Sequence, residues 1–74
     1  MKIDDAQTFG RLIKQYRKRQ RVSQSQLATI ANTGLRFISD LENGKPTVQL
    51  DKALKIAFLL GMTLETPDVG GEPQ

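Results

Sequence analysis

The side chains best suited to touching another molecule lie between Gly34 and Asn43. Placed on a helix, Leu35, Arg36, Ser39, Asp40 and Asn43 face away from Ile38 and Leu41, an apolar pair one helical step apart. Their chemistry matches the base edges of a DNA major groove. An arginine such as Arg36 donates two hydrogen bonds to guanine O6 and N7. Ser39 donates or accepts, Leu35 suits a thymine methyl, and Asp40 accepts from a cytosine amino group. Asp40 also repels phosphate, and a purely structural surface role suits it equally well. Gly34 lets the backbone come close, and Phe37 falls toward the buried side.

A helix needs a second element to hold it, and the preceding residues supply one. Ser23 is a good N-cap with Gln26 three residues later, the pattern of a capping box. Leu27, Ala28 and Ala31 then recur at helical spacing. Asn32-Thr33-Gly34 breaks the pattern with residues that tolerate a tight turn. Asn43-Gly44 closes the next helix with a left-handed cap. Two short helices, about Gln24 to Ala31 and Leu35 to Asn43, therefore cross where Ala28 is small.

Counted from Gln24, apolar residues stand at places four, fifteen and eighteen (Leu27, Ile38, Leu41), with a small residue at five (Ala28) and a turn former at nine (Asn32). This set resembles the helix-turn-helix of lambda- and Xre-type repressors, and the ending ISDLENGK is especially similar to theirs. About Phe9 to Gly61 can be laid over that domain. An ordinary helical hairpin is the competing reading, and the full set of spacings weighs against it. The resemblance implies that the third helix lies in the major groove, with Gly34, Leu35, Arg36, Ser39 and Asp40 at the bases. The family often has glutamines at the positions of Leu35 and Arg36, so the sequence preference stays open. Gln24 has the family's usual phosphate-binding residue and place, and free N–H groups at a helix start favour an anion. Arg19, Arg21, Ser23, Asn43, Lys45 and Thr47 flank the same edge. Capping is the main role expected of Ser23, and capping and contact are equally open for Asn43. The resemblance also implies a partly buried ion pair between Arg17 and Glu42, a structural role before a DNA contact. The residue corresponding to Arg21 is often Gly in the family, so the resemblance leaves the backbone conformation of that joint open.

Composition agrees. Seventy-four residues allow one domain with a modest core. With no cysteine and no histidine there is no disulfide, thiol nucleophile or ordinary zinc site. Without paired carboxylates in a pocket-forming context either, no enzyme, cofactor or metal is expected. No apolar run approaches the roughly 20 residues of a membrane span, and the start lacks a signal-peptide core, so a cytoplasmic, nucleoid-associated protein is the expectation. The formal charge of +3 favours polyanions. Six basic residues lie between Arg11 and Arg21 with no acid among them, while the last fourteen residues hold three acids and no base. For Arg11, Lys14 and Lys18 a solvated helix face is as good a reading as a contact.

Taken in order, residues 1–5 read as a flexible arm whose Asp4 and Asp5 suit a helix start. The first helix runs from about Ala6 or Thr8 to Gln20, with Phe9, Leu12, Ile13 and Tyr16 as one stripe and Gly10 as a local weakness. Residues 6–61 form the DNA-binding domain. The fourth helix runs from about Gln49 or Leu50 to Leu60, with Leu50, Ala53, Leu54 and Ala57 inward and Gly61 as its cap. Ile56, Phe58, Leu59 and Leu60 add more apolar surface than one face buries. Met62–Thr66 alternates like a strand, and residues 67–74 read as a disordered acidic tail. A lone strand needs a partner for its backbone groups, and the same strand of a second chain supplies it. Ile56, Leu59, Leu60, Met62 and Leu64 are the expected dimer interface.

That tail and the stretch GLRFISDLENGKPTVQLDKAL resemble HipB-type antitoxins, Xre-family proteins whose C-terminal strand pairs across a dimer. The expected fold is all-α: a small lambda-repressor-like bundle of four main helices with a short C-terminal β-strand pairing across a homodimer. The implied function is a dimeric repressor of an inverted-repeat operator on double-stranded DNA, autoregulating a toxin-antitoxin operon and binding a HipA-like kinase toxin. A stand-alone phage-like repressor is the alternative within the class. A protein-interaction adaptor that no longer reads DNA is the alternative outside it, and Arg36 and the basic flank argue against that.

Overall fold

A carboxylate opens the first helix. Asp5 accepts the backbone N–H of Thr8 at 2.7 Å and starts α1 (Ala6–Arg19). Asp5, the last residue of the expected arm, therefore caps the helix, the role its carboxylate suits. Three further helices follow: α2 (Gln24–Ile30), α3 (Leu35–Glu42) and α4 (Leu50–Leu59). The computed structural model describes residues 5–63, and among these there is no strand. Residues 64–66 of the expected strand, with Leu64, lie outside the described residues, as do the tail at 67–74 and residues 1–4 of the arm.

All four helices end in the same way. The residue after each C-cap has a positive φ: Arg21 (58°), Asn32 (55°), Gly44 (82°) and Gly61 (83°). At each end the N–H of that residue and of the next reach back to the last turn. At the end of α3, Gly44 N–H donates to the Leu41 carbonyl at 3.1 Å and Lys45 N–H to that of Asp40 at 3.0 Å. This is the Schellman arrangement, which satisfies carbonyls a helix would otherwise leave unpaired. Glycine takes the left-handed conformation without steric cost and asparagine takes it readily, whereas an arginine is held there against about 1–2 kcal/mol. The joint at Arg21 thus has the backbone a glycine would give it, filled by a charged residue.

The core holds five large side chains, Ile13, Leu27, Ile38, Leu41 and Ile56, all essentially inaccessible. Each is worth about 1.5–3 kcal/mol of burial. Ala28, Ala31, Ala53 and Ala57 fill the spaces between helices, and Phe9, Leu12, Tyr16, Val22, Phe37 and Val48 close the edges. Gly10 is not merely a weak point in α1. A Cβ there would collide with the backbone carbonyl of Leu41 and lie 2.9 Å from that of Glu42. Its bareness lets α1 press directly on the C-terminal end of α3.

The inward face of α4 departs from expectation. Ala53, Ile56, Ala57 and Leu60 are buried, while Leu50 is 69% exposed and Leu54 42%. Leu50 sits at the first turn, beyond the reach of the core, so the stripe is set by Ile56 and the alanines. Ile56, Leu60 and Met62, expected at a dimer interface, are used up in the core of the single chain, and only Leu59 of the described members is exposed. Of the expected apolar surplus, Phe58 and Leu59 are exposed; Leu50 and Leu54 join them on the outside of α4, and an open groove of about 360 Å³ runs between Leu54, Ala57, Phe58, Met62 and Thr63.

Candidate nucleic-acid interface

The turn between α2 and α3 is closed by backbone groups alone. Asn32 N–H donates to the Thr29 carbonyl and Thr33 N–H to that of Ala28, at 3.2 and 2.9 Å. Gly34 then caps α3 in extended conformation without a side-chain hydrogen bond. The first turn of α3 is consequently bare. Leu35 is 49% exposed, and the Arg36 side chain 90%. The Arg36 Nε is 4.0 Å from an Asp40 oxygen, and the Lys45 ammonium 3.5 Å from the same oxygen. Asp40 thus lies between two exposed cations, one at each end of the outer face of α3. Ser39 lies partly buried beside it and accepts from the Asn43 amide at 3.5 Å, the limit of a hydrogen bond. Gly34, Leu35, Arg36, Ser39 and Asp40 are brought together on one accessible face.

The start of α2 is built locally. Ser23 Oγ accepts from Gln26 N–H at 3.0 Å and the Gln26 side chain accepts from Ser23 N–H at 2.8 Å. Both halves of the capping box are present. Arg19, Arg21 and Ser23 are exposed near this start, and Asn43, Lys45 and Thr47 are exposed after α3. The Arg19 guanidinium stands 5.4 Å from the centre of the Tyr16 ring, a cation–π distance.

Behind this surface lies a buried polar cluster. Arg17 and Glu42 form a two-pronged pair: Nε to Oε2 at 2.6 Å and Nη2 to Oε1 at 2.9 Å. A third Arg17 bond, from Nη1, reaches the Val22 carbonyl at 2.8 Å and ties the pair to the α1–α2 joint. The Glu42 carboxylate holds the Arg17 pKa above its already high ordinary value, with burial working in the opposite direction. Gln24 does not stand free beside this pair. Its Nε2 donates to Glu42 Oε1 at 3.0 Å.

Sequence reasoning missed that Gln24 contact, and also the bond from Gln20 Nε2 to the Leu60 carbonyl at 2.7 Å, which joins the ends of α1 and α4. Partners 18 and 40 residues apart leave no local signal. Among the described residues no group of His, Cys, Asp and Glu could hold a metal ion, and no helix is long and apolar enough to cross a membrane.

The profile of the helix-turn-helix family matches residues 13–66. A relative from Sinorhizobium fredii (strain NBRC 101917 / NGR234), described as the uncharacterized HTH-type transcriptional regulator y4mF, is 46% identical over 57 residues, which span 77% of this chain and 75% of the relative. Among solved structures, a HipB-O4 20mer complex aligns with a TM-score of 0.81 at 25% identity, covering 93% of this chain and 97% of that one. A structure described as MDT Protein aligns equally well, with the same score, identity and coverage. The family is a helix-turn-helix family and the Sinorhizobium relative is described as a transcriptional regulator.

Proposed function

The chain belongs to the helix-turn-helix family as an Xre-type regulator of transcription, structurally like HipB, and from that premise we propose that it is a sequence-specific repressor of an inverted-repeat operator. The observation that carries this reading is the bare first turn of α3. Leu35 and Arg36 stand free at the end of a helix whose other end is locked into the core. In this reading Gly34, Leu35, Arg36, Ser39 and Asp40 meet base edges. Arg19, Arg21, Ser23, Gln24, Asn43, Lys45 and Thr47 meet phosphates, which position the protein and carry no sequence information. Arg36 takes the guanine-reading role.

The repressor acts as a homodimer in the cytoplasm, associated with the nucleoid. Pairing of two copies about a twofold axis sets their α3 helices about one DNA turn apart, roughly 34 Å. The likeness to HipB supports an antitoxin that autoregulates its operon and binds a HipA-like kinase toxin. Fluorescence anisotropy on the DNA upstream of its own gene tests the central claim. Binding there should tighten far above that to mixed-sequence duplex and weaken steeply with salt. Equal affinity for both duplexes would overturn it. Sedimentation of a protein truncated after Thr63, which keeps the buried Met62, tests the dimer, and co-purification with a neighbouring kinase-like product tests the toxin partnership.

A further inference from the structure

We infer that Glu42 is a positioning residue for Gln24: it holds the Gln24 amide so that a nitrogen–hydrogen edge, not the carbonyl, is aimed for a phosphate. The inference rests on the proposed reading of Gln24 as a phosphate contact and goes beyond it by naming what makes that contact work. The Glu42 carboxylate has no hydrogen to give and can only accept. Its two oxygens take three donors: Arg17 Nε, Arg17 Nη2 and Gln24 Nε2, at 2.6, 2.9 and 3.0 Å. A freely rotating glutamine offers its oxygen as readily as its nitrogen, and the oxygen repels phosphate. Facing a carboxylate, Gln24 has one choice. One N–H goes to Glu42, and the second, fixed by the planarity of the amide, meets no acceptor among the described residues.

Two further features make the arrangement workable. A carboxylate close to a phosphate contact would ordinarily oppose it, but Glu42 is neutralised by Arg17 at hydrogen-bond distance, with the two side chains only 2% and 8% exposed. The Glu42 side chain is thus an anchor whose charge is largely cancelled within the protein. An amide already ordered in the free protein also loses less rotamer freedom on binding than a loose one. Glu42 closes α3 and Gln24 opens α2, so the same contact couples the end of the recognition helix to the phosphate anchor of the neighbouring helix.

A double-mutant cycle tests this on two probes, a duplex selected by the protein from random sequence and a mixed-sequence duplex. Each variant is checked by circular dichroism to be folded at the working temperature. Gln24→Ala should weaken both duplexes about tenfold per bound protomer, the loss of one hydrogen bond to a charged group in each. Folded Glu42→Gln should weaken both similarly, because its amide presents a hydrogen where Arg17 or Gln24 needs an acceptor. The double variant should be no weaker than either single one, whereas independent sites would multiply to about a hundredfold per bound protomer. Multiplying losses, or a folded Glu42→Gln that binds as the wild type does, would overturn the positioning role and leave the phosphate contact standing. A Gln24→Ala variant that binds both duplexes normally would remove the phosphate contact itself. Should Glu42→Gln fail to fold, the wild type decides: the Gln24 side-chain NH2 should show restricted motion by ¹⁵N relaxation, and mobility equal to that of the exposed Gln15 would overturn the inference.

Discussion

Glu42 and Asp40 are acids two positions apart on α3, and they live in different physical regimes. The Glu42 side chain is almost sealed from water and accepts three hydrogen bonds of 3.0 Å or less. The Asp40 side chain is 31% exposed and has two cations at 3.5 and 4.0 Å. Sealed charges repay their desolvation only with near-complete hydrogen bonding, and removing one partner strands the other. Charges in contact with water trade one weak partner for another at little cost. The inner side of α3 is therefore a lock and the outer side an adjustable surface, although both are built from the same pairing of carboxylate with cation.

The largest effect should come from the lock. Glu42→Ala leaves Arg17 buried and unpaired and should cost about 3–5 kcal/mol in urea denaturation, whereas Asp40→Ala should change stability by less than about 1 kcal/mol. Equal losses would erase the distinction. Next comes the backbone contact behind the lock. Gly10→Ala puts a methyl group against the Leu41 and Glu42 carbonyls, so despite alanine's better helix propensity it should lower stability by about 1–3 kcal/mol, the range of overpacked cores. A more stable Gly10→Ala protein would show that α1 and α3 do not meet so closely.

The same comparison separates what was legible in the sequence from what was not. Every helix lies within a residue or two of its expected limits, and the Ser23–Gln26 capping box is present, because caps and apolar spacing are local. The face of α4 was misassigned because Leu50 and Leu54 satisfy helical spacing as well as Ile56 does, and only the tertiary arrangement chooses between them. Gly10 reads as a weakness when only its own helix is considered, since the carbonyls it admits are some thirty residues away. Gln24 was singled out through family likeness, but nothing in its spacing from Glu42 indicates that they touch. The outer face was the easier to read, for accessible residues declare their chemistry by type, while the inner lock depends on distances no sequence displays.

On the outer face, Arg36→Ala should leave thermal stability nearly unchanged and reduce discrimination between the selected and mixed duplexes by about 1–3 kcal/mol. A large loss of stability instead would move Arg36 from the surface to the lock. Arg21→Gly sharpens the contrast further because its two effects have opposite signs. Relief of the left-handed strain, offset in part by glycine's entropy, should stabilise the fold by up to about 1 kcal/mol, while loss of the charge should weaken all duplexes alike and flatten the salt dependence. Asp5 supplies the smallest effect. Its pKa is lowered chiefly by the Thr8 backbone N–H. The folded value lies below the unfolded one, so the cap contributes fully above the ordinary carboxylate range and is lost as pH falls through the lowered value. Asp5→Asn should keep the cap at neutral pH and reduce the acid sensitivity of the melting temperature. Unaltered acid sensitivity would show that the Asp5 carboxylate does not contribute to it.

The bareness of Gly10 has a mechanical consequence. Seated against α1 at one end, pinned midway by the buried Ile38 and carrying exposed side chains at the other, α3 is a lever: its root is the contact of Gly10 with the Leu41 and Glu42 carbonyls, and its tip carries Leu35 and Arg36. A displacement at the root is passed along the helix to the tip. A substitution at Gly10, which itself offers no group to a ligand, would swing the tip while leaving its chemistry unchanged. In a chain this small the aim of the outer face can therefore be altered without touching a single residue of that face.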